Sequence, residues 1–499
     1  MLTKILFLTI VPLYFALNCL ILPVNAAEAI QPYLDQVTES LQEFTLDNGL
    51  KFIILENHQA PVISFVTYAD VGAVDEPDGQ TGVAHYLEHL AFKGTTKIGT
   101  TNYPEEKKVL ARLDATFAEL MENPTVELIE KWQQLQQEAS QYVKQNEFGQ
   151  IVEIEGGVGL NAVTSADYTA YFYNFPANKL ELWMSLESER FLEPVFREFY
   201  EEKEVILEER QLRTDNSPIG RMIEAFLDTA FSEHPYKRPI IGYEEDIRNL
   251  TRTDVEKFFQ TYYIPDNLTM AIVGDVQPEE VKRLAKIYFG RYRQKPQSPQ
   301  LQIVEPPQSE PREVNLSLVS QPLYLEGYHR PSLTDPDSVV YDVISGILSE
   351  GRTSRLYQSL VEEQQVALSA QSFNGFPGNK YPNLILFYAL SAPNHSLEEL
   401  ETALRVEIER LKTEEVTQAE LDRVKTQGLA SLLRTLDTNG GMARLLVEYD
   451  VKTGSWKNLF KDLEAIAEVT PADIQRVANI TFTPENRTIG RIVNDEKIY

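Results

Sequence analysis

A weak internal repeat marks this chain: LTRTDVEKFFQTYYIPDNLTMAIV from Leu250 resembles VTPADIQRVANITFTPENRTIGRI from Val469. Alignment pairs Thr251 with Thr470, Asp254 with Asp473, Pro265 with Pro484, Asn267 with Asn486 and Thr269 with Thr488. Each copy reads as a short capped helix, a Pro-x-Asn-x-Thr turn and a strand. A unit repeated at such separation is an architectural signal. It predicts an α+β chain of two related α/β halves, each a mostly antiparallel sheet with helices packed on one side. The stretch from Arg293, RQKPQSPQLQIVEPPQSEP, is rich in proline, glutamine and serine without periodicity, which suits a linker over 293–312. An N-terminal domain over 43–292 and a related C-terminal domain over 313–499 follow.

The first residues end in Val24-Asn25-Ala26 after a long apolar run that opens with one lysine, the pattern of a secretory signal over 1–27. The same run is long enough to serve as an anchor if uncleaved. Export is expected, to a periplasm, a lumen or the exterior, with no membrane span in the mature body. Cys19, the only cysteine, lies in that segment, so the mature chain has no thiol for catalysis or metal binding. A formal net charge of −29 argues against nucleic acid and leaves peptides as the easier partner.

Within the first half, FTLDNGLKFIILENHQAPVISFVTY reads as a hairpin with turns at Asp47-Asn48-Gly49 and Asn57 to Pro61. Residues 104–145 read as two helices broken at Glu122-Asn123-Pro124-Thr125, strand character returns over 160–175, and helices follow around 178–192 and 198–213.

The window GVAHYLEHLAFKGT carries the chemistry. On a helix, His85 and His89 project from one face, where two imidazoles can meet one zinc ion. Glu88 lies on the neighbouring line, within reach of an attacking water as general base. Val83, Leu87, Leu90 and Phe92 surround the polar groups, so the helix is at least partly buried, and buried imidazoles and a carboxylate need partners. Catalytic zinc requires a third protein ligand and an open position. In FYEEKEVILEERQLR, Glu202 and Glu209 share one helix face, with Val205 and Leu207 expected to pack nearby, but Glu201, Glu204 and Glu208 are also present and spacing alone does not choose.

With these residues the sequence resembles the pitrilysin-like peptidases, the group containing insulin-degrading enzyme, the mitochondrial processing peptidases and many bacterial zinc proteases. The resemblance spans nearly all of the mature chain and rests on the window from His85, LNAVTSADYTAYF from Leu160, EKEVILEE from Glu202, HPYKRPIIGYEEDI from His234 and TYYIPDNLTMAIVGD from Thr261. It implies one zinc ion per chain held by His85, His89 and Glu209, with Glu88 as base and Glu202 orienting the site. It also implies that Asn161, Ala162, Val163 and Thr164 bind substrate by taking the peptide as an added strand. The implied activity is endopeptidase hydrolysis of peptides or unfolded polypeptides, with a non-catalytic scaffold or a peptide-binding subunit of the same family as the alternative.

Two departures from the family pattern stand out. The stretch between His89 and Glu209 is longer than in short members, and the helical pair at 104–145 accounts for it as an insertion. Self-sufficient relatives also carry Arg-x-x-x-x-Leu-x-Tyr in the second half, where this chain has Val361 and Leu368. Neither can donate a hydrogen bond to an oxyanion, and Arg352, Arg355 and Tyr357 are wrongly spaced to replace them. The expectation is the zinc-bearing subunit of a two-chain enzyme, a related chain supplying the arginine and tyrosine, or a homodimer.

Overall fold

The computed structural model describes residues 37–494; the signal-like segment 1–27 and Cys19 lie outside them. Two sheets organise the chain. The first contains β1 (Leu41–Thr45), β2 (Lys51–Glu56), β3 (Val62–Ala69), β4 (Val158–Thr164), β5 (Thr169–Pro176) and β6 (Leu268–Gly274), in the order β1-β2-β6-β3-β5-β4. The second contains β7 (Arg312–Leu318), β8 (Leu323–Arg330), β9 (Ala367–Phe376), β10 (Asn383–Ser391) and β11 (Arg487–Asn494), in the order β7-β11-β8-β10-β9. The second order repeats the first without β1. In both, the strand that closes the repeated phrase runs parallel to one neighbour, β2 for β6 and β7 for β11, and antiparallel to the other, β3 and β8.

The repeated residues do the same work in each half. Thr251 with Asp254, and Thr470 with Asp473, form reciprocal capping boxes on the helices Arg252–Tyr262 and Pro471–Thr481. The Asn267 side-chain amide donates to Tyr262 O and Asp70 O, and that of Asn486 to Thr481 O and His329 O. Each asparagine thus ties the helix end to the neighbouring strand and fixes the strand's register.

The turn at Asp47 to Gly49 joins an antiparallel β1–β2 hairpin, but the expected second hairpin is absent: β2 and β3 do not pair, because β6 enters between them. Leu268 to Gly274 are buried throughout, the pattern of a strand with neighbours on both edges and cover on both faces. The helical readings hold at Tyr103–Glu122, Val126–Ser140 and Leu180–Leu192, while the helix Phe199–Arg210 passes into a π-turn at Gln211–Asp215.

Each half covers the free face of the other's sheet. The helix Pro218–Ala230 belongs to the first half by sequence, yet Met222, Phe226, Leu227 and Ala230 pack with Leu323, Leu325, Leu384 and Leu386 of the second sheet. Conversely Met442, Ala443, Leu446 and Val447 of the helix Asn439–Thr453 pack with Ile53, Val66, Ala271 and Val273 of the first sheet. Polar contacts fasten the same junction: Asp167 accepts from the Tyr236 hydroxyl at 2.6 Å and from the backbone N–H groups of Asn379 and Lys380 at 2.8 and 3.0 Å, and Lys380 Nζ lies 2.5 Å from Asp70.

Residues 293–311 form no helix or strand, and β7 begins at Arg312, the last residue read as linker. The segment is pinned: Glu305 accepts from the N–H groups of Ser232, Glu233 and His234, and Gln308 donates to Glu485 O and Arg487 O. No helix among the described residues is long and apolar enough to cross a membrane.

Candidate metal centre

The histidines sit on the helix Val83–Leu90, whose start is set by two glycines. Gly82 (φ 87°) and Gly242 (φ 88°) meet back to back, and a Cβ on Gly82 would stand 2.5 Å from Ile241 O. Glu76 then takes the first free N–H groups, accepting from Gly82 N and Ala84 N at 2.9 Å each. Val83, Ala84, Tyr86, Leu87 and Leu90 are buried, which sets one face into the core and turns His85, Glu88 and His89 toward a cleft.

The helix Phe199–Arg210 lies alongside and decides among the five glutamates. Glu201, Glu204 and Glu208 are exposed, whereas Glu202 and Glu209 face the histidines. Leu207 packs as expected, but Val205 stays 46% exposed because the same solvated side carries it. Glu209 Oε1 is 3.8 Å from His85 Nε2, and Glu209 Oε2 is 3.5 Å from His89 Nε2. One ligand atom from each of His85, His89 and Glu209 falls within 4.8 Å of the others, and among the described residues this is the only such group of three or more.

The donor chemistry fits zinc: two imidazole nitrogens and a carboxylate oxygen converge and one side is open to the cleft. Burial, with the neighbouring His89 and Arg213 adding to it, pushes His85 down to about 3, so its imidazole is neutral and offers a lone pair. His89 Nδ1 is engaged by Glu202 Oε2 at 3.2 Å, leaving Nε2 for a metal. Burial opposes ionisation of Glu202, but its hydrogen bonds from His89 and Lys93 outweigh it and hold the carboxyl below its usual range. Burial has the upper hand at Glu88 and raises it, against the hydrogen bond from Thr164 Oγ1 at 2.5 Å. A raised carboxyl beside the donor cluster is suited to moving a proton.

The cleft measures about 790 Å³. One wall is β4, the outer strand of its sheet, which presents Asn161, Ala162, Val163 and Thr164. These pair with Phe172, Tyr171, Ala170 and Thr169 of β5, so among the described residues the other edge of β4 has no strand partner. Ile223 and Leu227 add apolar lining, and the second half contributes Phe376 and Pro377.

The positions of the missing pair are not part of this lining. Val361 packs against the second core, and Leu368 is 54% exposed at an irregularity of β9. Arg355 is buried in an ion pair with Glu420, and the Tyr357 hydroxyl donates to Glu362. Sequence reasoning missed Thr164 as the partner of Glu88, Lys93 beside Glu202, and Arg213, whose Nη1 is 2.7 Å from Glu209 Oε1. The spacing of Glu209 and Arg213, one helical turn, was the legible signal for the last.

Comparison with known proteins gives matches over most of the chain. The family model described as insulinase (peptidase family M16) matches residues 51–116 and 132–244, and that described as peptidase M16 inactive domain matches 249–427. The unmatched stretch 117–131 is the tip of the helical hairpin Tyr103–Ser140. A zinc protease PqqE of Helicobacter pylori is 31% identical over 94% of this chain and 96% of that protein. A probable mitochondrial-processing peptidase subunit beta of Arabidopsis thaliana is 26% identical over 87% of this chain and 75% of that one. Among solved structures, a protease from Helicobacter pylori superposes with a TM-score of 0.78 at 30% identity, covering 91% of this chain and 99% of that one. A peptidase M16 inactive domain from Pseudomonas fluorescens shares the fold, with a TM-score of 0.73 at 16% identity over 92% and 100% of the two chains.

Proposed function

The chain belongs to peptidase family M16, and from that premise we propose a zinc-dependent endopeptidase that hydrolyses extended peptides or unfolded polypeptides. The observation that carries the reading is the convergence of His85, His89 and Glu209 within 4.8 Å beside a protonatable Glu88. His85, His89 and Glu209 would hold the ion. Zinc, when bound, polarises the scissile carbonyl and acidifies water.

The protein's own groups do the rest. A peptide laid against the free edge of β4 at Asn161 to Thr164 gains main-chain hydrogen bonds and is held extended. Glu88 takes a proton from the attacking water and returns it to the leaving amine. Thr164 Oγ1, by donating to Glu88 Oε2, fixes which carboxylate oxygen is free to accept that proton. Ile223, Leu227 and Phe376 exclude water from one side of the cleft.

In place of the arginine and tyrosine absent at 361 and 368, the described cleft lining holds no tyrosine, and its two arginines are already paired, Arg213 with Glu209 and Arg238 with Asp78. That observation supports the further reading that this is the zinc-bearing subunit of a two-chain enzyme, its related partner or a second copy supplying those donors. The apolar segment ending at Val24-Asn25-Ala26 supports export. The test is cleavage of a quenched-fluorescent peptide library by the purified chain, with chelator and Glu88→Gln controls. Chelator-sensitive, Glu88-dependent turnover establishes the peptidase. A folded, zinc-loaded chain that stays silent alone, and in mixtures with related subunits from the same source, leaves the scaffold reading in its place.

A further inference from the structure

We propose that Lys93 is a positioning residue for the metal centre: it holds Glu202 in the orientation that fixes the His89 imidazole, and it clamps the histidine helix to the glutamate helix. The inference rests on the reading of His85, His89 and Glu209 as metal ligands. Lys93 lies just beyond the end of the helix Val83–Leu90, and its ammonium bridges two carboxylates of the neighbouring helix, Glu202 Oε1 and, at 3.3 Å, Glu198 Oε2. The other oxygen of Glu202 contacts His89 Nδ1 at 3.2 Å. Glu198 stands at the start of the glutamate helix with a positive φ of 54°, and its Oε1 accepts from Gln145 Nε2 at 2.5 Å. The contacts therefore run without a break from Gln145 through Glu198, Lys93 and Glu202 to the ring of His89.

Three features separate this from an ordinary surface pair. The side chains are largely hidden from water, at 21% exposure for Lys93, 16% for Glu198 and 14% for Glu202. Among the described residues Lys93 is the only lysine or arginine paired with either glutamate. Without it two carboxylates one helical turn apart would face each other with no counter-charge, and their repulsion would turn Glu202 away from His89. A ligand ring that loses its outer hydrogen bond is free to rotate, and such losses weaken metal binding by about 10–100-fold.

The measurement is the zinc dissociation constant of the full chain, by competition with a chromogenic chelator, for the parent protein, Lys93→Met, Lys93→Arg, Glu202→Gln and the double variant Lys93→Met/Glu202→Gln. Thermal midpoints are taken on the zinc-free proteins. Lys93→Met is expected to weaken zinc binding about tenfold or more, with the zinc-free protein still folded and its midpoint lowered only by loss of the clamp. Lys93→Arg restores most of the affinity, and the double variant is no weaker than Glu202→Gln alone, because both act through one contact. Parental affinity in Lys93→Met, or losses that simply add in the double variant, would overturn the proposal. If Lys93→Met does not fold, Glu198→Gln removes one anchor of the clamp, and a loss in the same direction supports the proposal while parental affinity overturns it. Failure of the metal reading looks different: the parent protein then binds no zinc, or its binding survives His85→Ala and His89→Ala.

Discussion

Glu88 and Glu202 are both partly buried carboxyls within reach of His89, yet they are shifted in opposite directions. Burial is outweighed at Glu202 by its hydrogen bonds from His89 and Lys93, whereas at Glu88 it prevails over the hydroxyl and backbone N–H of Thr164 and the nearby His89. The site thus contains one carboxyl kept ionised to orient a ligand and one ready to exchange a proton. Glu88→Gln should preserve zinc content and lower kcat by about 10²-fold or more, checked by metal analysis alongside peptide turnover. A variant with undiminished turnover would remove Glu88 from its role. Thr164→Val, which deletes the donor to Glu88, should raise the Glu88 pKa further and move the acidic limb of the pH–rate profile upward.

At the scale of the element, the two halves repeat devices as well as shapes. Lys203 of the glutamate helix donates to Arg248 O and Leu250 O, at the end of the helix before the capped one. Lys425 donates in the same way to Ala467 O and Val469 O in the second half. Each lysine satisfies carbonyls that a helix terminus leaves without partners. The segment read as a linker is held by Glu305. Its burial resists ionisation, but the N–H groups of His234, Ser232 and Glu233 outweigh that and lower its pKa. A lowered folded-state pKa contributes stability above the unfolded value, and that stability is lost as pH falls through the folded value. Thermal midpoints compared at pH 7 and near pH 4 should therefore show Glu305→Gln destabilised at the higher pH and closer to the parent at the lower. An equal deficit at both would assign the effect to packing instead.

At the scale of the molecule, the exchange of helices makes each sheet depend on the other half. The socket for Pro218–Ala230 is lined by glycines: a Cβ on Gly327 would approach the Phe226 ring to 2.8 Å, and one on Gly490 would approach Met222 Sδ to 2.8 Å. Phe226→Ala should cost about 3–5 kcal/mol in denaturant unfolding, as for other buried aromatic truncations. The same helix follows Glu209 through the π-turn Gln211–Asp215, so loosening it should also weaken zinc binding. Parental zinc affinity in a folded Phe226→Ala variant would show that the centre is insulated from the second half.

Resemblance to a known family pointed to Glu202 and Glu209 and to the absent arginine and tyrosine, whereas the sequence by itself determined the two-half plan and the inverse histidine motif. These depend on local spacing: periods of helix and strand, cap residues and a repeated Pro-x-Asn-x-Thr turn are written in neighbouring positions. Tertiary structure decided that β6 separates β2 from β3, that three of five glutamates face water, and that each half's helix covers the other half's sheet. It also brought Lys93 between Glu198 and Glu202, and Thr164 onto Glu88. Each of these joins residues far apart in the chain, and an apolar helix face or a lone charge does not encode which distant surface will bury or pair it.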